Sequence, residues 1–178
     1  MNRKTLFENI SRHSWAIELC VQNYLRMPAL ILIYSGIDIF ASIGRPADQA
    51  HTTIKDYIDW CDSYLIPQGK LSCSGVDLYA ARCGVVHTYT MESSLSKEGK
   101  AREIVYAWGN GKPEDLQEII DKASFTQRVV HIETLAEVFR EGALNFLSEL
   151  GADSERADLV VFRAGKLFKD QPKEFWVE

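Results

Sequence analysis

The chain has 178 residues, 46% of them hydrophobic and 25% charged, with a formal net charge of −5. That balance is ordinary for a soluble globular protein and fits one compact domain with at most a small appendage. The acidic excess argues against a broad basic surface for duplex DNA, because phosphate neutralisation supplies most non-specific affinity; a local basic patch stays open.

Four cysteines stand at positions 20, 61, 73 and 83, with no C-x-x-C and nothing resembling a zinc-ligand array. Reduced, buried thiols in a cytoplasmic protein are therefore expected, with no metal and no cofactor. The start, MNRKTLFENISRH, is polar and lacks the apolar core of a signal peptide.

The first half reads as four helices. Helix one runs from about Thr5 to Met27, with Leu6, Ile10, Ile17, Cys20 and Tyr24 at helical spacing and His13 on the same stripe. Pro28 opens helix two, ALILIYSGIDIFASI, which is apolar on nearly every side. It is short for a membrane span and Asp38 interrupts it, so a buried core helix is expected and no membrane association. Gly44 ends it, and Pro46 opens helix three, which reaches about Leu65. After the Pro67–Gly69 loop, Ser74 is the expected N-cap of helix four, with Asp77 three residues on as a variant capping box.

The second half changes character. MESSLSKEGKAR is a polar loop without periodicity, and EIVYAWG and QRVVHIE read as two short strands flanking a small helix that Pro113 opens. A long amphipathic helix follows, with Leu135, Phe139, Ala143, Phe146 and Leu150 on one face and Gly151 as its stop. DLVVFRAGKLF reads as a terminal hairpin over about 158–169. The expected fold is mainly α, an up-and-down four-helix bundle with a smaller α/β C-terminal extension. The whole chain, 1–178, forms a single domain: bundle at about 5–90 and 132–150, strands and small helix at about 103–132.

Helix four carries an oddity: LYAARCGVVHTYT sets Arg82, His87 and Tyr89 inside an otherwise apolar segment. Burying an arginine or a histidine without a partner costs free energy. On a straight helix Arg82 and His87 stand about 140° apart and about 7.5 Å along the axis, so they do not converge on one atom. Across a twofold seam, the pair from each of two protomers lines one groove, and Gly84 leaves room for a backbone or a substrate. Asp38, in the apolar helix two, has two candidate partners: Arg82, or a local hydroxyl such as Ser35.

RCGVVHTY fits R-x4-H-x-Y and in this resembles the HEPN domains, helical domains of prokaryotic defence and toxin–antitoxin systems and of several RNA-cleaving enzymes. The expected bundle, with the motif late in it, is similar to that family over roughly residues 5–90, completed by the helix near 135–150. The resemblance implies metal-independent RNA cleavage by a homodimer, leaving 2′,3′-cyclic phosphate. It implies that His87 moves protons and that Arg82 orients and neutralises the phosphate. Tyr89 matches a tyrosine that, in some toxin members, a partner nucleotidyltransferase acting as antitoxin modifies. The chain departs from the small toxins in its long second half and in Cys83, which follows the arginine where a polar residue is common.

Lys97, Lys100 and Arg102 lie shortly after His87 and are candidate ligands for RNA phosphates, or else the lysines and arginine of a solvated loop. His13, His51 and His131 fit structural roles better than metal ligation, and Trp15, Trp60, Tyr106 and Trp108 fit a core better than base stacking. Two functions follow: an RNA-binding or RNA-cleaving HEPN-like protein, or a non-catalytic helical protein–protein interaction module in which Arg82 and His87 form a structural polar network. Exposure separates them, since a catalytic pair must reach a phosphodiester.

Overall fold

The computed structural model describes residues 2–90 and 92–167, and these are mainly helical with one small parallel sheet. In chain order the elements are α1 (Arg3–Gln22), α2 (Arg26–Gly44), α3 (Ile54–Tyr64), a 3₁₀ turn (Ile66–Gln68), α4 (Gly75–Thr88), α5 (Ser94–Lys97), β1 (Ile104–Ala107), α6 (Pro113–Lys122), β2 (Arg128–His131), α7 (Ile132–Ala152) and α8 (Ser154–Leu167).

α1 stops five residues short of the expected Met27. Tyr24 takes a φ of 59°, its N–H reaches Val21 O at 3.0 Å, and the Leu25 N–H reaches Cys20 O at 2.8 Å. These paired bonds satisfy the last carbonyls and end the helix, so α2 starts two residues before Pro28, which sits in the first turn where its missing N–H removes no bond. Pro46 does not open α3. Residues 45–53 form a loop, and α3 begins at a capping box in which Thr53 and Asp56 bond reciprocally.

α2 is the centre of the molecule, packed against α1, α3, α4, α7 and α8, which is where an all-round apolar helix must go. Among the described residues it is the one helix long and apolar enough to cross a membrane, 19 residues at mean hydropathy 1.6, and half of that stretch is buried inside the protein. Gly36 permits the α7 contact: a Cβ there would stand 2.4 Å from the Phe139 ring and 2.8 Å from His13 Nε2.

The two expected strands are present and pair in parallel, Ile104 opposite Arg128 through Ala107 opposite His131. α6 crosses between them and closes a small second core of Ala107, Ile120 and Val129. The unit is tied to the helices by Tyr34 Oη to Tyr106 Oη at 2.5 Å, by Ser72 Oγ to Val129 O at 2.8 Å, and by Arg26 stacked 3.7 Å over the Trp108 ring.

The expected terminal hairpin at 158–169 is overturned: the chain is helical as α8 to Leu167, and residues 168 and 169 lie outside the described residues. Its buried positions Ala157, Val160 and Ala164 recur at helical spacing. Gly151 does not stop α7, which runs to Ala152; the break comes at Asp153, whose Oδ1 accepts the Arg156 N–H at 3.0 Å and starts α8.

α4 opens with the expected Ser74–Asp77 capping box. Asp77 also receives three bonds from Arg102: backbone N–H at 2.7 Å, Nη2 at 2.6 Å and Nε at 3.1 Å. Its side chain is 2% exposed. Burial pushes the Asp77 carboxyl up, and the Arg102 and Ser74 bonds outweigh it, holding the pKa below its ordinary value. Arg102→Ala, which strands this buried carboxylate, is expected to remove about 3 kcal/mol of stability at neutral pH. Because the folded pKa is the lower one, the contribution is complete above about pH 4 and is lost as pH falls through the depressed value. Urea unfolding of both proteins at neutral and acid pH checks this: the gap should close in acid, and an equal gap at both would refute it.

Candidate functional site

α4 buries Leu78, Ala81 and Val85, an i, i+3, i+7 stripe, and packs on α2 and α3, with α5 and β1 of the same chain against it as well. That stripe turns Arg82 to the margin of the core and leaves His87 and Tyr89 exposed at the helix end.

Asp38 takes the first of its two candidate partners. Arg82 Nε donates to Asp38 Oδ2 at 2.8 Å. Arg82 Nη1 lies 3.1 Å from His87 Nε2, so the two motif residues converge within one helix, against the expectation from a straight one. The cause is the last turn. The Tyr89 N–H bonds back five residues to Gly84 O and Tyr89 takes a φ of 56°. A turn closed this way is wider than α-helical, which narrows the angle between positions 82 and 87, and the long arginine spans the rest.

The chain Asp38–Arg82–His87 fixes chemistry. A guanidinium has donors and no acceptor, so in this contact His87 Nε2 is the acceptor and the neutral ring carries its proton on Nδ1. Burial pulls the Arg82 pKa down and the Asp38 carboxylate more than restores it, leaving it raised. Burial raises the Asp38 carboxyl, against the lowering effect of Arg82. The Arg82 side chain is 22% exposed, so the site is a half-open edge and not a sealed network. Cys83 is within hydrogen-bonding reach of both Arg82 and Tyr79.

Gly84 gives room, as its place in the motif suggests, and the occupant is the protein's own backbone: a Cβ would stand 2.5 Å from Thr90 O and 2.9 Å from Glu92 O. Gly84→Ala is expected to push this segment off α4, cost about 1–3 kcal/mol and separate His87 from Arg82. Thermal unfolding measures the first effect, and an unchanged melting temperature would mean that the segment yields freely.

The candidate phosphate ligands divide. Lys97 pairs with Glu92 at 3.0 Å and Lys100 with Glu98 at 2.6 Å, all on exposed side chains, where an ion pair contributes little. Arg102 is committed to Asp77 through Nε and Nη2. The other histidines are held or apart: His13 Nε2 is 2.8 Å from Leu32 O, His131 lies between Glu133 and Gly109 O, and His51 is exposed. Trp60 and Tyr106 belong to the core as expected, whereas Trp15 and Trp108 are exposed in good part. Among the described residues no group of three or more His, Cys, Asp or Glu is placed to hold a metal ion. One buried cation was missed by the sequence: Arg163 of α8, whose guanidinium donates to Ile43 O at 3.2 Å, to Pro46 O at 2.8 Å and to Arg45 O. Its sign would have been a charged residue on the Ala157–Val160–Ala164 face, legible only once the segment is read as helical.

Neither known family models, nor curated proteins, nor solved structures yield a match to this chain.

Proposed function

We propose that the protein is a HEPN-like, metal-independent endoribonuclease, built on an up-and-down four-helix bundle around α2 and working as a cytoplasmic homodimer. One observation carries the reading: Asp38, Arg82 and His87 stand in a hydrogen-bonded row at an open edge of the core. Asp38 holds the guanidinium. An incoming RNA phosphate competes with His87 for Arg82 Nη1, as charged acceptors outbid neutral ones. The freed Nε2 then takes the proton of the ribose 2′-OH, the 2′-oxygen attacks phosphorus, and the imidazolium returns a proton to the departing 5′-oxygen. The products are a 2′,3′-cyclic phosphate and a 5′-hydroxyl. Exposed Lys97 and Lys100 exchange weak glutamate pairs for neighbouring phosphates. Tyr89, 66% exposed on the helix end, is open to a second protomer or to a nucleotidyltransferase-type antitoxin in a toxin–antitoxin or defence setting.

The test is cleavage of end-labelled single-stranded RNA in EDTA by the wild type and His87→Ala side by side. Cutting by the wild type, reduced on the order of 10²-fold or more in the variant, is expected; equal cutting by both would remove His87 from the mechanism.

The same row also favours a second reading. Arg82 already finds both its acceptors within one chain, as it would in a non-catalytic protein–protein interaction module whose polar row is structural. Silence of the wild type across RNAs of varied sequence would favour it.

A further inference from the structure

Away from the Arg82–His87 edge, a groove of about 460 Å³ runs between the turn after α5 and the connection from α6 to β2. This volume lies within the range of ordinary ligand sites, roughly 300–1,000 Å³. Arg102 stands on one wall, and Asp121, Ser124, Phe125, Thr126 and Arg128 on the other. Two features set it apart from a plain surface cleft. Phe125 is 61% exposed, an aromatic ring left in water beside two guanidinium groups. It is carried by a tight turn, with Ser124 at φ 59° and the Phe125 N–H bonded to Ile120 O at 3.1 Å, so the ring is presented from a fixed backbone.

One arginine is anchored on its inner side and the other is held loosely. Arg102 uses Nε and Nη2 on buried Asp77, leaving Nη1 outside those bonds. Arg128 donates weakly to Gln127 O at 3.3 Å and stands 3.7 Å from Asp121, beyond a good hydrogen bond. A planar π-face, one oriented and one loosely held guanidinium group, and the hydroxyls of Ser124 and Thr126 match one ligand chemistry: a base that stacks, with phosphate and sugar oxygens beside it. The groove is connected to the proposed site through α4. Arg102 rests on Asp77, ten residues before His87 on the same helix, about 15 Å along its axis, and in sequence the segment bearing Lys97 and Lys100 lies between His87 and Arg102.

We propose that this groove binds single-stranded RNA, with Phe125 as the stacking platform and Arg102 and Arg128 as phosphate contacts, and that it positions the strand for the Arg82–His87 edge. The proposal rests on the ribonuclease reading and is separable from it by experiment. The probe is an end-labelled 2′-O-methyl RNA of about 12 nucleotides, which lacks the attacking hydroxyl and stays intact, titrated by fluorescence anisotropy at several salt concentrations. Cleavage of the unmodified strand is followed in parallel.

Phe125→Ala is expected to weaken binding about ten-fold and Phe125→Trp to restore it, since any aromatic face stacks. Arg128→Gln is expected to lower the salt dependence by about one phosphate contact. Phe125 is exposed and Arg128 is half-buried with weak bonds only, so Phe125→Ala should leave the melting temperature unchanged and Arg128→Gln should shift it little, and the loss is assignable to the groove. Wild-type binding with Phe125→Ala and Arg128→Gln indistinguishable from it would overturn the groove and leave the ribonuclease reading intact. Cleavage of the unmodified strand with no binding of the probe would do the same. Neither binding nor cleavage by the wild type would overturn both.

Discussion

Replacing Arg163 with methionine is expected to destabilise the fold by about 3 kcal/mol, roughly 10 °C in melting temperature for a chain of this size. Arg163 is 7% exposed, and its three acceptors, Ile43, Arg45 and Pro46, are carbonyls at and just beyond the end of α2. Helix ends leave their last carbonyls without partners; α2 ends at Gly44 with no left-handed cap after it, and Arg45 itself donates to Ser42 O. A cation there also faces the negative end of the helix dipole. Methionine fills the space and replaces none of the three bonds; Pro46 O keeps the Gln49 N–H at 3.2 Å, while Ile43 O and Arg45 O lose the donor that Arg163 gave them. Arg163→Lys keeps the charge but cannot fork across the acceptors, and about half the loss is expected. Urea unfolding followed by circular dichroism gives both values; a methionine variant within 1 kcal/mol of the wild type would show that water takes over the bonds.

The second large effect concerns activity. Arg82→Lys is expected to reduce cleavage on the order of 10²-fold with little change in stability, as loss of one oriented donor does in comparable sites. Lysine keeps the charge, but a single ammonium cannot hold Asp38 through one nitrogen and meet His87 or a phosphate through another. Asp38→Asn should cost less, about ten-fold, because it loosens the guanidinium without removing it. If the two residues act as one unit, the double variant is no worse than Arg82→Lys alone. Single-turnover rates in EDTA measure this, and strictly multiplicative losses would refute a shared unit.

Much of this arrangement was readable from residues alone. The all-round apolar α2, the Ser74–Asp77 box and the β–α–β segment whose helix Pro113 opens each came from local pattern, because the energies that set them act over a few residues. The half-buried acid and base, Asp38 and Arg82, were legible as one of two pairings, the other being Asp38 with Ser35, which stands far nearer in sequence. The contact between Arg82 and His87 was not legible. It depends on a last turn closed from Tyr89 to Gly84, a departure from ideal helix that the overlying carbonyls of Thr90 and Glu92 accompany. The end of α1 was missed because a tyrosine takes the left-handed position usually left to glycine. α8 was missed because VVF followed by RAGKLF alternates well enough to pass for strands, and period alone separates short helices and strands poorly.

The most direct measurement is the identity of the ends left on RNA cut in EDTA by the wild-type protein. Attack by the 2′-oxygen with His87 as proton carrier gives a 2′,3′-cyclic phosphate and a 5′-hydroxyl, and that is the expected result. A 3′-hydroxyl with a 5′-phosphate would mean that water, not the neighbouring ribose, is the nucleophile, and would contradict the role drawn for Arg82 and His87.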